Sequence, residues 1–444
     1  MSSTTELSIQ TADGPKVNNQ YIVILKPECD KFKELRSMKG ELDMNSQILH
    51  DYDANFLNGF AAKLSQNVLE LLKQHDGIES IYEDSFTTIE WPVVENNITT
   101  MEDSGNEDED PLEDENPLGV PNSSIDVRDL HATLGRASTT TQNNATWGLQ
   151  RINQRQKVNG NPGAVGFKFT YDKRAGNGVD IYILDTGIRT THQDFGRRAR
   201  FGFSAITGQT EDGNGHGTQY VGSHDQYALS LPFNLPNSVA GTCIGTTFGV
   251  AKRANAISVK IIDNQGVITT SNALAGLDYT FREAAVSRRP AVVNASWGFN
   301  ANRPLEIAIT RLIQAGIHVV AAAGNSNINA NHTMPASVQG VITIAASSIQ
   351  DVRWPSSNWG PAIDLFAPGD NVISASNRGD NQRVPMSGTS FAAPHAAGVA
   401  ALLLSMGGNT TPATLLDMLR NRLAVGNVLG NVPTNTRNFL LQSR

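Results

Sequence analysis

Apolar residues run almost unbroken through Val179–Leu184 (VDIYIL), Ala256–Ile262, Ala291–Ala295, Ile317–Ala322 and Val341–Ala346. Strands buried on both faces of a parallel sheet require such runs, because neither face meets water. Segments of helical spacing, such as Ser271–Ala285 and Leu305–Ala315, lie between them. The alternation predicts a three-layer α/β domain with a mainly parallel sheet, whose ligand and catalytic groups gather at the carboxyl ends of the strands. No internal repeat is visible.

The amino-terminal part has a different pattern. Tyr21–Lys26 (YIVILK), Gln47–Asp53, Gly59–Leu64 and Ile78–Tyr82 are short strand candidates, and Asp30–Met38 is a helix candidate of mixed charge. Ser65 is placed to cap a second helix through about Gln74: its hydroxyl can accept an orphan amide hydrogen of the first turn, and Val68, Leu69, Leu71 and Leu72 form an apolar face. Gly77 supplies the stop. The order βαββαβ is the split βαβ arrangement of a small ferredoxin-like α+β domain.

Between Pro92 and Gln142 acidic residues crowd together, including Glu107, Asp108, Glu109, Asp110, Glu113, Asp114 and Glu115. Like charges at this density repel and bury nothing, which predicts a disordered tether. The expected organisation is a polar leader over 1–20, a small domain over 21–91, an acidic linker over 92–142 and the α/β domain over 143–444.

With 444 residues the chain exceeds the roughly 250–300 at which a single core stops growing, in keeping with two domains. Hydrophobic and charged contents of 39% and 18% suit a globular protein. A net charge of −8 without a concentrated basic face gives no reason to expect nucleic acid as a partner. No apolar run approaches the ~20 residues of a membrane span, so no membrane is expected either. Cys29 and Cys243 fall in separate domains, which excludes a disulfide framework. Met1–Lys16 is polar and lacks the apolar core of a secretory signal: either the protein stays inside the cell or the gene starts upstream.

Four short motifs carry chemistry. Asp185-Thr186-Gly187 places a carboxylate where the first strand leaves the sheet, a pattern that alone also fits aspartic proteases and ordinary turns. Gly213-Asn214-Gly215-His216-Gly217-Thr218 lets the backbone pack beside an imidazole. Ala322-Ala323-Gly324-Asn325 puts a side-chain amide at a strand's carboxyl end. Gly388-Thr389-Ser390-Phe391-Ala392-Ala393-Pro394-His395 opens an apolar helix to about Met406, so that free amides and the positive end of the helix dipole flank the Ser390 hydroxyl. Pro394 is expected in the first turn, where it costs no intrahelical bond. His192, His318 and His395 are read as packing or surface residues. A serine esterase of the α/β-hydrolase kind needs Gly-X-Ser-X-Gly and the order Ser, acid, His, and a zinc peptidase needs His-Glu-X-X-His; neither pattern is present.

The order Asp, His, Asn, Ser resembles the subtilisin superfamily of serine proteases, and within it the proteinase K branch, from about Trp147 to the end. The small domain, with Asn58-Gly59-Phe60-Ala61-Ala62-Lys63-Leu64, resembles the inhibitor propeptide of these enzymes. The resemblance implies a serine endopeptidase made as an autoprocessed zymogen, with Asp185, His216 and Ser390 as the triad and Asn325 and the Ser390 amide as the oxyanion hole. It implies protein or peptide substrates, the chain's own propeptide as intramolecular inhibitor, a monomer, and no cofactor for the chemistry. Ser296, Trp297 and Gly298, facing Ala323 and Gly324, match the primary specificity pocket, which Trp297 and Phe299 narrow where Leu and Gly are usual. Asp364 with the carbonyls of Gln339 and Val341 matches a structural calcium site, although a hard cation wants six to eight oxygens. A mature start near Asn143 and secretion or vacuolar targeting are expected on the same ground.

One departure stands out. The family continues its histidine with Gly-Thr-His-Val-Ala-Gly-Thr as one helix, whereas Gln219–Ser238 intervenes before Val239-Ala240-Gly241-Thr242 and contains Pro232 and Pro236, which cannot continue a helix. A surface loop costs only about 0.6 kcal/mol per doubling of length. The preferred reading is instead a retained intron. Gln219-Tyr220-Val221 can be encoded CAG-TAC-GTN, which contains the donor GTACGT, and Ser238 as AGY, which opens with an acceptor AG. Splicing there joins CA to a pyrimidine, encodes histidine and keeps the frame. Without that excision the alternative is a subtilisin fold with impaired catalysis. Transcript sequencing is therefore expected to show these codons removed, and replacing Gln219–Ser238 by one histidine to raise turnover about 10²-fold, the cost of a ~1 Å misplacement. Equal rates, with the codons in every transcript, would reject both the intron and the impairment.

Overall fold

A computed structural model describes residues 7–31, 33, 42–89, 138–214, 239–377 and 379–444. His216, the Gln219–Ser238 segment and nearly all of the acidic stretch lie outside the described residues, as does most of the expected helix Asp30–Met38.

The amino-terminal unit consists of β1 (Ile9–Gln10), β2 (Lys16–Leu25), β3 (Gln47–Asp51), β4 (Gly59–Lys63), α1 (Gln66–Lys73) and β5 (Ile78–Thr88). Its sheet has the order β1-β5-β2-β4-β3, antiparallel except for β1 beside β5. Ser65 caps α1 as expected, its hydroxyl accepting the Val68 N–H at 3.3 Å. The expected polar leader over 1–20 is corrected: Ile9 and Gln10 pair with Ile81 and Tyr82, and β2 already begins at Lys16. β5 continues past Tyr82 to Thr88 because a second partner, outside its own domain, extends the ladder.

The unbroken apolarity of YIVILK has a tertiary cause. Side chains alternate along β2, so Val23 and Leu25 meet Leu69 and Leu72 of α1, while Ile22 and Ile24 join a core shared with the large domain. β4 divides likewise, Phe60 and Ala62 inward and Ala61 toward the large domain.

The large domain begins with β6 (Thr139–Thr146), α2 (Trp147–Arg151), β7 (Val165–Asp172), β8 (Asp180–Asp185), β9 (Ala199–Ser204), α3 (Val239–Ile244), β10 (Asn255–Lys260) and β11 (Val267–Thr269). It continues with α4 (Thr270–Ser287), β12 (Ala291–Ala295), α5 (Arg303–Gln314), β13 (His318–Ala322), β14 (Ile342–Ser347) and β15 (Leu365–Pro368). The remaining elements are β16 (Val372–Ala375), β17 (Arg383–Met386), α6 (Thr389–Gly407), α7 (Pro412–Asn421), β18 (Ala424–Gly426) and β19 (Phe439–Leu441). β6 pairs with β7 from Thr139 onward, so residues 139–142 belong to this domain and not to the tether expected over 92–142.

The main sheet has the order β18-β19-β15-β14-β13-β12-β8-β10-β9 and is parallel except between β18 and β19. Ile181 and Ile183 of β8 face α3 and α6, whereas Tyr182 and Leu184 face α4 and α5, which makes the three layers. The chain leaves β8 for neighbours on both sides, so Asp185 ends the strand at the point where the strand order reverses, the usual place for a site in open α/β sheets.

Helix α6 is the only described helix long and apolar enough to cross a bilayer, and it is the buried core helix on one face of the sheet. Pro394 is its sixth residue, in the second turn and not the first. It therefore leaves the Ser390 carbonyl without an intrahelical donor, and the Ser296 hydroxyl donates to that carbonyl at 3.2 Å. Gly398 faces α3 so closely that an added Cβ would stand 2.6 Å from Val250 Cβ and 3.2 Å from the Cys243 carbonyl oxygen. Gly398→Ala is expected to destabilise the fold by about 1–3 kcal/mol through overpacking, read as a lower urea midpoint at unchanged m value.

Candidate active site

Asp185 is fully buried, and its Oδ1 accepts the N–H of Thr186 at 2.7 Å. Three further contacts hold the turn after it. The Thr186 hydroxyl donates to Asp212 Oδ1 at 2.8 Å, Lys260 Nζ donates to the Thr186 carbonyl at 2.5 Å, and Lys260 also reaches Asn264 Oδ1 at 3.0 Å. Burial pushes the Lys260 ammonium below its ordinary pKa, while the carboxylates of Asp212 and Asp185 pull it back up. Gly187 is required here: its φ is +116°, and a Cβ would lie 3.0 Å from the Asp212 amide nitrogen. Asn377 Nδ2 donates to the Asp212 carbonyl at 3.0 Å, and Asn214 Nδ2 to the Asn264 carbonyl at 3.1 Å. The segment that leads to His216 is thereby fixed against the Asp185 turn as far as Asn214. His216 itself lies outside the described residues.

Ser390 is the second residue of α6 and nearly buried, with its Oγ 3.4 Å from the Ser296 carbonyl. Asn294 Nδ2 holds the Ser296 hydroxyl at 2.9 Å. β12 and the residue after it thus clamp the start of α6 through a polar ladder that meets the carbonyl freed by Pro394.

Asn325 follows β13, and its Oδ1 accepts both the Thr389 N–H at 2.8 Å and the Thr389 hydroxyl at 2.7 Å. Two donors on one oxygen fix the amide plane and turn the nitrogen end away from Thr389. Gly324 has φ +98°, and a Cβ there would lie 2.4 Å from Asn358 Nδ2. Asn358 braces this turn, accepting the N–H groups of Ser326 and Ile328 and donating to the Ala323 carbonyl.

A cavity of about 220 Å3 opens beside Ser390 and Asn325. Of the expected substrate-contacting residues, Ser296, Trp297, Gly298 and Gly324 line it. Ala323 is fully buried and is not among the lining residues. The Trp297 and Phe299 rings meet edge-on with centroids 5.9 Å apart, and both residues line the cavity. Phe299 is pinned there by reciprocal backbone bonds of 2.8 Å with Met334.

The amino-terminal unit closes the cleft. Phe86, Thr87 and Thr88 at the end of β5 pair antiparallel with Thr269, Ile268 and Val267 of β11, and Ile89 N–H donates to the Gly266 carbonyl at 3.0 Å. Phe86–Thr88 share the cavity wall with Ser390. Just before them, Asp84 accepts the Ser271 N–H at 3.1 Å and its hydroxyl at 2.6 Å, a carboxylate at the amino terminus of α4. Burial pushes the Asp84 pKa up to about 6 against those hydrogen bonds. His50 with Asn272 (2.9 Å), and the Asp53 N–H with Asp278 (2.7 Å), are further polar contacts along this helix.

The other sequence candidates separate by role. His192, His318 and His395 are all buried packing residues, and burial lowers the pKa of His318 and of His395 to about 4. Asp364, the carboxylate of the expected calcium site with Gln339 and Val341, is held by protein donors. Its Oδ2 accepts the Thr343 N–H at 2.8 Å, and its Oδ1 is bonded to the Arg420 guanidinium with Arg437 at 3.7 Å. Among the described residues no group of three or more His, Cys, Asp or Glu side chains could hold a metal ion. Four residues that matter here escaped the sequence reading: Lys260, Asp212, Thr389 and Asn358. Thr389 adjoins Ser390 in a quoted motif, and Asp212 immediately precedes another. Lys260, a charge ending an apolar strand, was the visible anomaly; Asn358 carried no signal.

A nearly buried serine at the start of α6 and the amide residue Asn325 line one cavity, and the end of β5 from the amino-terminal unit shares its wall. The comparisons with known proteins are specific. Residues 176–438 match the subtilase family model and residues 20–90 the peptidase inhibitor I9 model. A cuticle-degrading protease of Metarhizium anisopliae is 37% identical over 318 residues, 71% of this chain and 74% of that protein. Subtilisin-like protease 3 of Arthroderma benhamiae is 39% identical over 309 residues, 69% of this chain and 70% of that protein. A crystal structure of a cold adapted subtilisin-like serine proteinase superposes with TM-score 0.58 at 35% identity, covering 68% of this chain and 99% of that one. The chain belongs to the subtilase family, as a serine endopeptidase carrying an I9 inhibitor propeptide domain.

Removing Lys260 tests the support under Asp185. Lys260→Met removes the ammonium that donates to the buried Thr186 carbonyl, so a loss of about 1–3 kcal/mol is expected in chemical unfolding. Stability equal to the parent would show that the carbonyl finds another donor.

Proposed function

We propose that this protein is an autoprocessed zymogen that hydrolyses peptide bonds through Asp185, His216 and Ser390. The observation that carries the reading is the propeptide strand: β5 adds to the edge of β11 and ends on the cavity wall shared with Ser390. Addition of an extended peptide to a sheet edge is a general mode of peptide recognition, in which backbone hydrogen bonds supply affinity and side-chain pockets supply selectivity. A substrate would take the same place.

In the proposed reaction Ser390 Oγ attacks the scissile carbonyl carbon while His216 accepts its proton. The carbonyl oxygen becomes an oxyanion held by the Asn325 side-chain nitrogen and the Ser390 N–H. Asp185 orients the imidazole and stabilises its cation. The C–N bond then breaks as His216 returns the proton to the leaving amine, leaving an acyl-enzyme. Water, deprotonated by His216, attacks the ester, and the acid product leaves as Ser390 regains its proton.

Cleavage after apolar residues is proposed from the lining of the cavity by Trp297 and Phe299. The mature enzyme is proposed to begin before Thr139, since a cut near Asn143 would sever β6. Secretion or vacuolar delivery is proposed on family likeness. The reading of impaired catalysis is supported by the sequence alone: Gln219–Ser238 separates His216 from Val239 and carries Pro232 and Pro236, which cannot continue a helix.

Ser390→Ala is expected to lower turnover on denatured protein by about 10⁶-fold and to leave the propeptide uncut. Asn325→Ala should cost about 10²–10³-fold in turnover with correct processing restored on longer incubation. Unchanged turnover in Ser390→Ala would overturn the assignment.

A further inference from the structure

We propose that Arg420 supplies from within the chain the positive charge that a calcium ion would bring to Asp364, so that this part of the fold is held without metal. Asp364 precedes β15 and is 2% exposed. Its backbone and side chain grip Thr343 from both sides: the Asp364 N–H donates to the Thr343 carbonyl at 3.0 Å, and Oδ2 accepts the Thr343 N–H at 2.8 Å. The other oxygen is bonded to the guanidinium of Arg420, which comes from the last turn of α7. Arg437 stands 3.7 Å from the same oxygen and donates to the carbonyls of Pro361 and Ile363, at 3.1 Å each.

Two guanidinium groups therefore surround one carboxylate. A dication in this place would meet a surplus of positive charge, and both carboxylate oxygens already have donors. Calcium needs six to eight oxygens and favours excess negative charge. Guanidinium suits the opposite case, because it is permanently charged, weakly hydrated and presents planar donors to a carboxylate.

The position gives the pair its importance. Thr343, held by Asp364, also donates its hydroxyl to the Ala336 carbonyl at 2.6 Å. Ala336 lies two residues beyond Met334, whose backbone pairs with Phe299 on the wall of the substrate cavity. Arg420 thus braces, through Asp364 and Thr343, the loop behind that wall. It touches no substrate, and its effect is positional.

Thermal melting of the full chain tests this, in a Ser390→Ala background to prevent self-digestion. Each variant is melted in EDTA and in millimolar calcium chloride. Arg420→Gln is expected to lower Tm in EDTA by about 5 °C or more, since it leaves a buried carboxylate short of its partner, while Arg420→Lys keeps most of the parent's Tm. Any gain of the parent in calcium is expected to be equal in Asp364→Asn. An Arg420→Gln chain as stable as its parent in EDTA would overturn the proposal. So would a calcium gain in the parent that Asp364→Asn abolishes. Should a variant fail to fold, parent crystals soaked in calcium decide: anomalous density at Asp364 refutes the proposal, and guanidinium density there with no ion supports it.

Discussion

The structure depends on the burial of β8 on both faces. A strand sealed between α3 and α6 on one side and α4 and α5 on the other cannot shift by one residue without exchanging every contact it makes. That constraint sets where Asp185 stands, at the last paired position before the chain turns out of the sheet. The same packing leaves buried polar groups to be satisfied, and the site is built from how they are satisfied. Lys260, at the end of the neighbouring β10, is paired opposite Asp185 and donates to the carbonyl just beyond it. A cation is held at the carboxyl ends of two strands because the carboxylates of Asp212, Asp185 and Asp263 and the Thr186 carbonyl attract it there.

The serine side follows a similar logic through a different defect. Pro394 removes one bond from the second turn of α6, and the carbonyl it frees belongs to Ser390. Ser296, at the end of β12, fills the gap. A residue that lines the cavity therefore also anchors the helix that presents Ser390, so cavity wall and serine cannot move independently. Thr389 does the corresponding work for Asn325, taking the amide oxygen with two donors. Position is supplied by neighbours of the chemically conspicuous groups more than by those groups themselves.

The inhibitor domain is joined to the enzyme by continuity of both sheet and core. β5 is one strand with two sets of partners, β1 and β2 in its own domain and β11 in the other. Behind it, Ile22, Ile24, Tyr52 and Phe56 share a hydrophobic core with Leu274 and Leu277 of α4. An interface built as core and strand addition together orients the inhibitor strand along the cleft, whereas a polar patch alone would leave it free to turn.

Local signals in the sequence determined much of this. Continuous apolarity marked the buried parallel strands, the Ser65 cap and apolar face marked α1, and the places of Asp185 at the end of β8 and of Ser390 at the start of α6 followed from the strand and helix signals around them. Only the tertiary structure decided the rest. The leader became β1, since the strand that receives it lies about seventy residues away in the chain. β5 lengthened because β11 waited for it. Asp364 received its Arg420 partner from α7, at a separation of 56 residues. Lys260 under Asp185 and Thr389 beside Asn325 came from the same source. A hydrophobic period or a helix cap is written within a few residues, but the partner of a buried charge is chosen by whichever distant segment packs against it, and no local pattern records that choice.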